Sequence, residues 1–509
     1  MYIKYVFVFF ICFFIKDIFS KNIERHDQKY SLFAKPIYKN KMSNSFKYET
    51  PDQKQGLYFK GIISGRADGF LSSQGLILNM GTTAHELKTQ NNIIRNWLLL
   101  ASPIIEAKLN DHIRLYFHPD LGQNQHRLFD ANITLDYLRS FRFMAGLQTS
   151  LITGFEPFVF NYGGFTRNMS PFKEIAIKMF GEIGPSISRA YSYQNEYGIQ
   201  SWFYYELAIT NGAADASFPG VIPFEVTSQN NLYQGSQLNT GSKAFEGRVF
   251  MNPFILEQDH PLQHFGFGFS GSASTEVNRI GLPAFLSIGR NAIFQFNNGN
   301  DKFSIAHGRR NRIHPQFLWY RKNIAVVADY INSAQQLSNK FFSNIKEYPT
   351  ISQINKAGQA LFIWNITGEE FAWNFNKPFN NFRPFDKYNI GAFQLGLRYS
   401  MLNIDPNTFN YYDTTNDGRT IYKYSDPRTS VQRADGYSVV LNWFWNINFK
   451  LSTEFSYTKF KGGCSTGALN SPINPGCLTA PYSSISQAGS TILNRPSEIA
   501  IFQQATASF

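Results

Sequence analysis

The fold of this chain is decided by residues 497–509, SEIAIFQQATASF, in which two kinds of side chain alternate. One set is mostly apolar: Ile499, Ile501, Ala505, Ala507 and Phe509. The other set is mostly polar: Glu498, Gln504, Thr506 and Ser508. Successive side chains of a β-strand point to opposite faces, so the stretch predicts a strand with one apolar and one polar face.

The strand ends on the aromatic residue Phe509. A carboxyl-terminal aromatic residue on such a strand is typical of a β-barrel of the Gram-negative outer membrane. We therefore expect this strand to close a barrel and Phe509 to be read by the barrel assembly machinery. Ala507 departs from this pattern, because such signals often carry a second aromatic residue there.

The amino terminus predicts export. Lys4 precedes an apolar run at residues 6–15, and Ser20 offers a small residue for cleavage, so residues 1–20 read as a signal peptide. The run is too short to span a bilayer as a helix, and no other stretch of about 18 apolar residues follows. We expect residues 21–55 to be a flexible periplasmic segment and residues 56–509 to form the barrel.

Composition fits a barrel with an apolar outer wall and a wet lumen. The chain is 17% aromatic, yet only 17% is charged, and its aromatic residues do not gather into long apolar runs. The formal net charge of +12 favours contact with nucleic acid, with an anionic membrane surface or with anions in a pore. Because we expect the protein to be exported, we do not expect nucleic acid as its partner. The expected partners are outer-membrane lipid and small anions.

Alternation with a period of two recurs along the chain, which predicts many antiparallel strands. The clearest stretches are 56–68, 112–118, 131–137, 141–148, 201–210, 265–270, 316–320, 324–331, 393–400, 437–446 and 451–457. Short connections, as between 137 and 141, are expected to face the periplasm. At about ten residues per strand, residues 56–509 predict an all-β transmembrane antiparallel barrel of roughly 16 strands.

Residues 152–192 interrupt the alternation with many Gly and Pro residues. A long irregular segment inside a compact fold is usually functional or disordered, and in a barrel we expect it to fold into the lumen and narrow it. Within the segment, residues 173–180 suggest a short helix.

Basic side chains are the candidate anion-binding and pore-lining residues, because a fixed positive charge acts strongly in a narrow, partly desolvated passage. Arginine also presents a planar fork that can bind two phosphate oxygens. The inward-facing candidates are Lys60, Arg66, Arg114, Arg142 and Arg398, and the candidates in the irregular segment are Arg167, Lys173 and Lys178. Alternatively, each pairs with a carboxylate such as Asp68, Asp136 or Glu174, which favours a general diffusion pore.

Cys464 and Cys477 remain after export and bracket a stretch rich in Gly, Pro, Asn and Ser. In an oxidising compartment we expect them to form a disulfide. Neither a second cysteine pair nor a histidine completes a zinc site. No Ser nucleophile motif and no phosphate-cradling Gly loop is present, so we expect no enzyme, no cofactor and no metal.

Several short motifs occur in a consistent order. They are Gly65-Arg66 with Asp68, Asn211-Gly212, residues 246–249 before Asn252-Pro253, Thr367-Gly368-Glu369 after Trp364-Asn365, residues 391–400, and Asn442-Trp443. In this order the chain resembles the phosphate-selective porin O and P family from about residue 56 to 509. The resemblance implies a 16-stranded homotrimeric barrel, an inward-folded third loop at 152–192, and passage of phosphate or polyphosphate.

The chain departs from that family at residues 147–150, where a Lys-Glu-Pro-Phe run is expected, and on the last strand, which lacks an Arg. These departures weaken the expectation of a phosphate preference, but they do not affect the prediction of a barrel. The leading hypothesis is an outer-membrane porin for passive diffusion of small anions. The alternatives are a general diffusion porin without phosphate preference and, in a different class, a secreted soluble β-rich binding protein.

We expect the exported protein to begin at Lys21 and to hold Cys464 and Cys477 as a disulfide, because both cysteines reach an oxidising compartment. Intact-mass measurement after alkylation checks both points. Alkylation without reduction should add no label, and alkylation after reduction should add a label at each cysteine. Label on the unreduced protein would contradict the disulfide.

Overall fold

A computed structural model of the chain describes most of its residues after position 45. The described ranges are 46–52, 54–72, 93–121, 127–154, 157–171, 173–186, 201–212, 243–257, 260–279, 282, 284–296, 302–341, 350–373, 375–386, 388–414, 420–422, 424–427, 429–463 and 494–508. The predicted signal peptide, Cys464, Cys477 and Phe509 lie outside these ranges and stay predictions.

The described chain is built of β-strands with two short 3-10 helices. The strands are β1 (Phe46–Glu49), β2 (Gly56–Ser72), β3 (Ile93–Lys108), β4 (Ile113–Asp120), β5 (Arg127–Leu138), β6 (Phe141–Thr149), β7 (Lys173–Ser186), β8 (Ser201–Thr210), β9 (Ala244–Met251), β10 (Phe265–Arg279), β11 (Phe285–Leu286), β12 (Ala292–Phe294), β13 (Lys302–Arg321), β14 (Ile324–Phe341), β15 (Ile351–Asn365), β16 (Ala392–Asn403), β17 (Tyr411–Thr414), β18 (Thr420–Tyr422), β19 (Val431–Asn446), β20 (Phe449–Gly462) and β21 (Glu498–Ser508). The 3-10 helices are Phe165–Met169 and Pro406–Phe409.

Sixteen of these strands close into one barrel. Antiparallel pairing runs in chain order from β2 to β10, continues through β13–β16 and β19–β21, and returns from β21 to β2. The closing register runs from Ile62 opposite Ser508 to Ser72 opposite Ile499. The predicted all-β antiparallel barrel and the closing role of the last strand are confirmed. Residues 46–49, in the segment predicted to be flexible, form β1 and pair with the start of β2.

The wall alternates between an apolar outer face and a mostly polar inner face. On β6, Phe141 and Phe143 are exposed on the outside, whereas Arg142 and Met144 are buried on the inside. On β4, Leu115 and Phe117 are likewise exposed. Such a closed barrel pairs the backbone groups of neighbouring strands and leaves no open sheet edge. Within the described residues, no helix is long and apolar enough to cross a membrane.

The predicted helix at residues 173–180 is wrong, because these residues begin strand β7. Ile175 and Ile177 are exposed on the outer face, and Glu174, Ala176 and Lys178 are buried on the inner face. β7 pairs with β6 and β8 over most of its length. Lys173 and Lys178 therefore belong to the barrel wall and not to the inward loop, which is shorter than the predicted 152–192.

The two ends of the barrel differ in their connections. Short turns at 139–140, 322–323 and 447–448 mark one end, here called the turn end, where β2 also begins and β21 ends. Three connections at this end are longer: residues 187–200 join β7 to β8, residues 252–264 join β9 to β10, and residues 366–391 join β15 to β16. The sequence did not predict these departures from short turns.

A charge placed on the outer face should destabilise the barrel most at mid-height. Leu207 is exposed and pairs with Met179, in the middle of β7, whereas Leu109 is exposed in the β3–β4 turn. We expect Leu207→Arg to lower the free energy of unfolding by about 2–4 kcal/mol, and Leu109→Arg by about 1 kcal/mol or less. Urea titration in phospholipid vesicles measures both. Equal losses would contradict a lipid-facing outer wall.

Candidate functional site

A loop crosses the inside of the barrel between β6 and β7. We call residues 150–171, apart from 155 and 156, the crossing loop. Its backbone is held by the opposite wall: Asn161 N donates to Glu454 Oε2 at 2.7 Å, and Phe165 N donates to Ser400 Oγ at 2.8 Å. Glu454 belongs to β20 and Ser400 to β16. The expected inward-folded third loop is confirmed, and it narrows the lumen.

Three aromatic residues occupy every second position of one stretch of the crossing loop, and each of the three lies under a cationic side chain of the wall. The pairs are Phe158 with Lys450 Nζ at 4.1 Å, Phe160 with Arg398 Cζ at 4.4 Å and Tyr162 with Arg66 Cζ at 3.9 Å from the ring centroid. We call this arrangement the cation–aromatic ladder. A cation over a desolvated ring is worth about 0.5–2 kcal/mol, so the ladder fixes the loop to the wall.

Arg66 lies at the end of the ladder in a compact charged group. Its Nε atom is 2.8 Å from Asp68 Oδ1, and the Tyr162 hydroxyl donates to Asp68 Oδ2 at 3.0 Å. Burial raises the pKa of Tyr162, so its phenol stays neutral and keeps the proton that it donates. Arg66 also donates to the Tyr162 hydroxyl oxygen. This predicted site residue is thus used to hold the crossing loop.

Arg398 and Glu454 form the second anchor. Arg398 Nη2 donates to Glu454 Oε1 at 2.9 Å, and both side chains are fully buried. Arg398 donates to the Tyr162 carbonyl oxygen as well, while Glu454 accepts the Asn161 backbone N–H. An ion pair buried this deeply requires such additional hydrogen bonds to offset the desolvation of its charges.

The remaining predicted basic residues are spread over separate groups of the wall. Four of them pair with carboxylates: Arg114 with Glu106 at 3.1 Å, Arg142 with Asp136 at 2.8 Å and Glu182 at 3.0 Å, Lys173 with Asp130 at 2.8 Å, and Lys178 with Glu206 at 2.9 Å. Lys60 is half-buried on the inner face of β2, and Arg167 is half-buried in the 3-10 helix of the crossing loop. The structure does not gather these side chains into one site.

Among the buried side chains of the described residues, carboxyl groups outnumber those of Lys and Arg. Buried carboxylates are those of Asp68, Glu106, Asp136, Glu174, Glu206, Glu246, Glu276, Asp329, Glu369, Asp405, Glu454 and Glu498. Buried Lys and Arg side chains are fewer: Arg114, Arg142, Lys173, Lys178, Arg310, Arg312, Arg398, Lys450 and Arg495. The basic excess of the whole chain therefore does not lie among these buried groups.

Sequence reasoning missed Arg290, which lies in the turn between β11 and β12. Arg290 has a φ of 66°, a left-handed conformation that is rare for a residue with a Cβ. The turn is fixed by Glu498, whose Oε1 accepts the Gly289 N–H at 3.0 Å. The exposed Arg290 side chain lies with its Cζ 5.3 Å from the Tyr162 ring centroid. It thus joins Arg66 beside the crossing loop.

A second inward segment, also missed, reaches the crossing loop from the turn end. We call residues 371–376, apart from 374, the inner rim segment. Phe158 N donates to the Trp373 carbonyl oxygen at 2.8 Å, which joins the two segments. Asn376 Nδ2 donates to Asn365 Oδ1 at 2.7 Å and ties the segment to β15. The only sequence signal near it was the Thr367-Gly368-Glu369 motif.

The described residues contain no group of three or more His, Cys, Asp or Glu side chains arranged to hold a metal ion. His260 and His264 belong to the connection between β9 and β10. His264 stacks on Tyr320 with ring centroids 4.3 Å apart, and burial lowers its pKa. Its ring therefore packs against the barrel end.

No protein-family model matches the chain. No curated protein matches it either, so membership in the porin O and P family stays a prediction. Solved structures with similar folds include the outer-membrane channel DcaP of Acinetobacter baumannii, 10% identical, with 91% of this chain and 99% of that chain covered at a TM-score of 0.46. OmpF of Salmonella typhi in complex with daunomycin is 10% identical, with 91% of this chain and 100% of that chain covered at a TM-score of 0.45. An anion-selective porin from Comamonas acidovorans is 9% identical, with 90% of this chain and 100% of that chain covered at a TM-score of 0.41.

Breaking the Arg398–Glu454 pair should destabilise the protein more than removing both charges. Arg398→Met leaves Glu454 buried without its ion-pair partner, so we expect a loss of about 3–5 kcal/mol in the free energy of unfolding. The double variant Arg398→Met, Glu454→Gln should recover part of that loss. Urea titration in phospholipid vesicles measures both variants.

The matched control is Arg433→Met, because Arg433 pairs with Asp435 while its side chain remains 49% exposed. An exposed pair is worth about 0–1 kcal/mol, so this variant should unfold almost as the parent does. A double variant less stable than Arg398→Met would contradict the anchoring role.

Proposed function

We propose that the chain is an outer-membrane channel of a Gram-negative bacterium, through which small hydrophilic solutes diffuse passively. The observation that carries the proposal is the closed 16-strand barrel, with its apolar outer face, polar inner wall and crossing loop. A barrel with lipid-facing apolar residues and a polar lumen suits a pore in a membrane. In this orientation the turn end faces the periplasm and the long loops face outward.

The inner wall favours general diffusion over phosphate selection. A phosphate-binding constriction needs cationic groups whose charge is not cancelled by nearby carboxylates. Here Arg114, Arg142, Lys178 and Arg398 each lie within about hydrogen-bond distance of a carboxylate oxygen. Wall groups of both signs attract neither cations nor anions strongly, which supports passage of small polar solutes of either charge.

A preference for small anions is the second candidate, and the Tyr162 neighbourhood favours it. Arg66, Arg290 and Arg398 all approach Tyr162, while Asp68 and Glu454 lie in the same neighbourhood. Three cationic groups therefore approach this residue next to the narrowed passage, two at its ring and one at its carbonyl oxygen. Arg290 is exposed there, so it contacts the aqueous part of the lumen.

Assembly as a homotrimer and recognition of Phe509 by the assembly machinery complete the proposal. The homotrimer is proposed from the resemblance to the porin O and P family. Recognition of Phe509 is proposed from the carboxyl-terminal sequence. Chemical cross-linking in native membranes tests the trimer. A Phe509 deletion, followed by measuring how much protein reaches the outer membrane, tests the recognition.

The deciding measurement is made on the purified protein in a planar lipid bilayer under a KCl gradient. Weak ion selectivity, with a conductance that phosphate does not block, is the expected result. Strong anion selectivity with phosphate block would favour the second candidate. Failure to conduct, together with fractionation away from the outer membrane, would overturn the channel and favour a soluble β-rich binding protein.

Reversing the charge of Arg290 should shift the selectivity of the channel. We expect Arg290→Glu to change the anion-to-cation permeability ratio by about twofold or more toward cations, because this exposed group lies in the narrowed lumen. Lys54→Glu makes the same change in charge at an exposed position beyond the turn end and should leave the ratio unchanged. If Arg290→Glu and Lys54→Glu gave the same anion-to-cation permeability ratio, Arg290 would lie outside the conducting path.

A further inference from the structure

Part of the β15–β16 connection lies outside the barrel wall. We call residues 379–390, apart from 387, the outer rim loop. The Phe382 ring centroid is 4.9 Å from that of Trp443 and 5.0 Å from that of Trp445. These tryptophans share the outward face of β19 with the exposed Val439 and Leu441. The same connection thus enters the lumen as the inner rim segment and then packs on the outside.

The outer rim loop is a built structure held by hydrogen bonds at both ends. Phe382 N donates to the Trp445 carbonyl oxygen at 2.7 Å, and Trp443 Nε1 donates to the Ile390 carbonyl oxygen at 2.8 Å. Arg383 N donates to the Asn389 carbonyl oxygen at 2.9 Å and closes the loop on itself. These bonds fix the loop against the end of β19.

The tip of the loop is fixed by a carboxylate. The Asp386 side chain accepts the Tyr388 backbone N–H at 3.0 Å and also accepts a hydrogen bond from the Asn389 side chain. The Tyr388 hydrogen bond is the main cause of a lowered pKa at Asp386, so the carboxylate stays ionised and keeps these bonds at neutral pH.

This fixed loop presents aromatic side chains to its surroundings. Phe385 is 109% exposed, Tyr388 is 83% exposed and Phe379 is 73% exposed. Phe385 also has a φ of 66°, a conformation that costs about 1–3 kcal/mol for a residue with a Cβ and persists only when its surroundings enforce it. A strained turn that projects a phenylalanine away from the protein indicates a surface that contacts something else.

The occupant that fits this surface is lipid. The aromatic patch is continuous with the lipid-facing outer wall, since Phe393 of β16 stacks on Trp443 at 5.7 Å. Arg383, within the loop, and Lys377, two residues before it, are both exposed. Aromatic rings flanked by Lys and Arg match the headgroup region of a bilayer, where the rings sit at the boundary and the cations reach phosphates.

We propose that the outer rim loop binds the membrane, inserting Phe385, Tyr388 and Phe379 into the headgroup region of the leaflet at the turn end. Arg383 and Lys377 contact the lipid phosphates. The assignment rests on the proposed membrane location of the barrel, and it adds a dedicated lipid-binding element beyond the wall itself. The loop also determines how deep the barrel sits.

The test attaches an environment-sensitive fluorophore to single cysteines in the full chain, with Cys464 and Cys477 replaced by Ser. Phe385→Cys probes the loop, Ile177→Cys probes the exposed outer face of β7, and Lys54→Cys probes an exposed position in water. Each variant is reconstituted in phosphatidylcholine–phosphatidylglycerol vesicles that carry a nitroxide either on the headgroup or at mid-chain. Conductance of each labelled protein confirms that the barrel has formed.

We expect the headgroup nitroxide to quench the label at 385 at least about twofold more than the label at 54. The mid-chain nitroxide should quench the label at 177 most. If 177 is quenched but 385 behaves like 54, the loop proposal is overturned, and a protein partner becomes the better occupant. If 177 also behaves like 54, the membrane location of the barrel fails instead.

Discussion

The structure depends on one constraint: every backbone N–H and C=O group of the wall must be paired where no water reaches it. The pairing of β21 with β2 completes this condition, since it joins the two strands that would otherwise be open edges. Residues more than 400 positions apart, such as Ser64 and Gln504, donate and accept across this seam. Closure then fixes which side chains face outward and which face the lumen.

The same constraint shapes the inside of the barrel. Several charged side chains of the inner face are buried, and pairs such as Arg398–Glu454 and Lys178–Glu206 offset the lost hydration with a partner of opposite charge. Glu454 shows the consequence, because it serves Arg398 and the Asn161 backbone together. Groups that hold the crossing loop in this way are less available to passing solutes, so positioning the loop and selecting a solute compete for the same side chains.

Much of the wall could be predicted from the sequence, because a period of two is visible in single strands such as 113–117 and 141–144. The helix predicted at 173–180 failed because Ala176 and Phe180 are apolar although they face inward, where they pack in buried clusters. Apolar residues on the inner face interrupt the alternation of apolar and polar side chains that indicates a strand. Arg290, the inner rim segment and the partners of the basic residues depend on contacts between distant parts of the chain, which no local pattern records.

The crossing loop has a consequence for the order in which the protein is made. Asn161 contacts Glu454 across 293 positions, and Asn442 contacts the Val159 carbonyl across 283. Contacts so distant in sequence form late, since a long stretch of chain must first be brought into place. The loop can dock only on strands that have already been added to the wall. The loop therefore reaches its final position only after nearly the whole chain has been made, because its partner strand β20 is the last but one of the described strands.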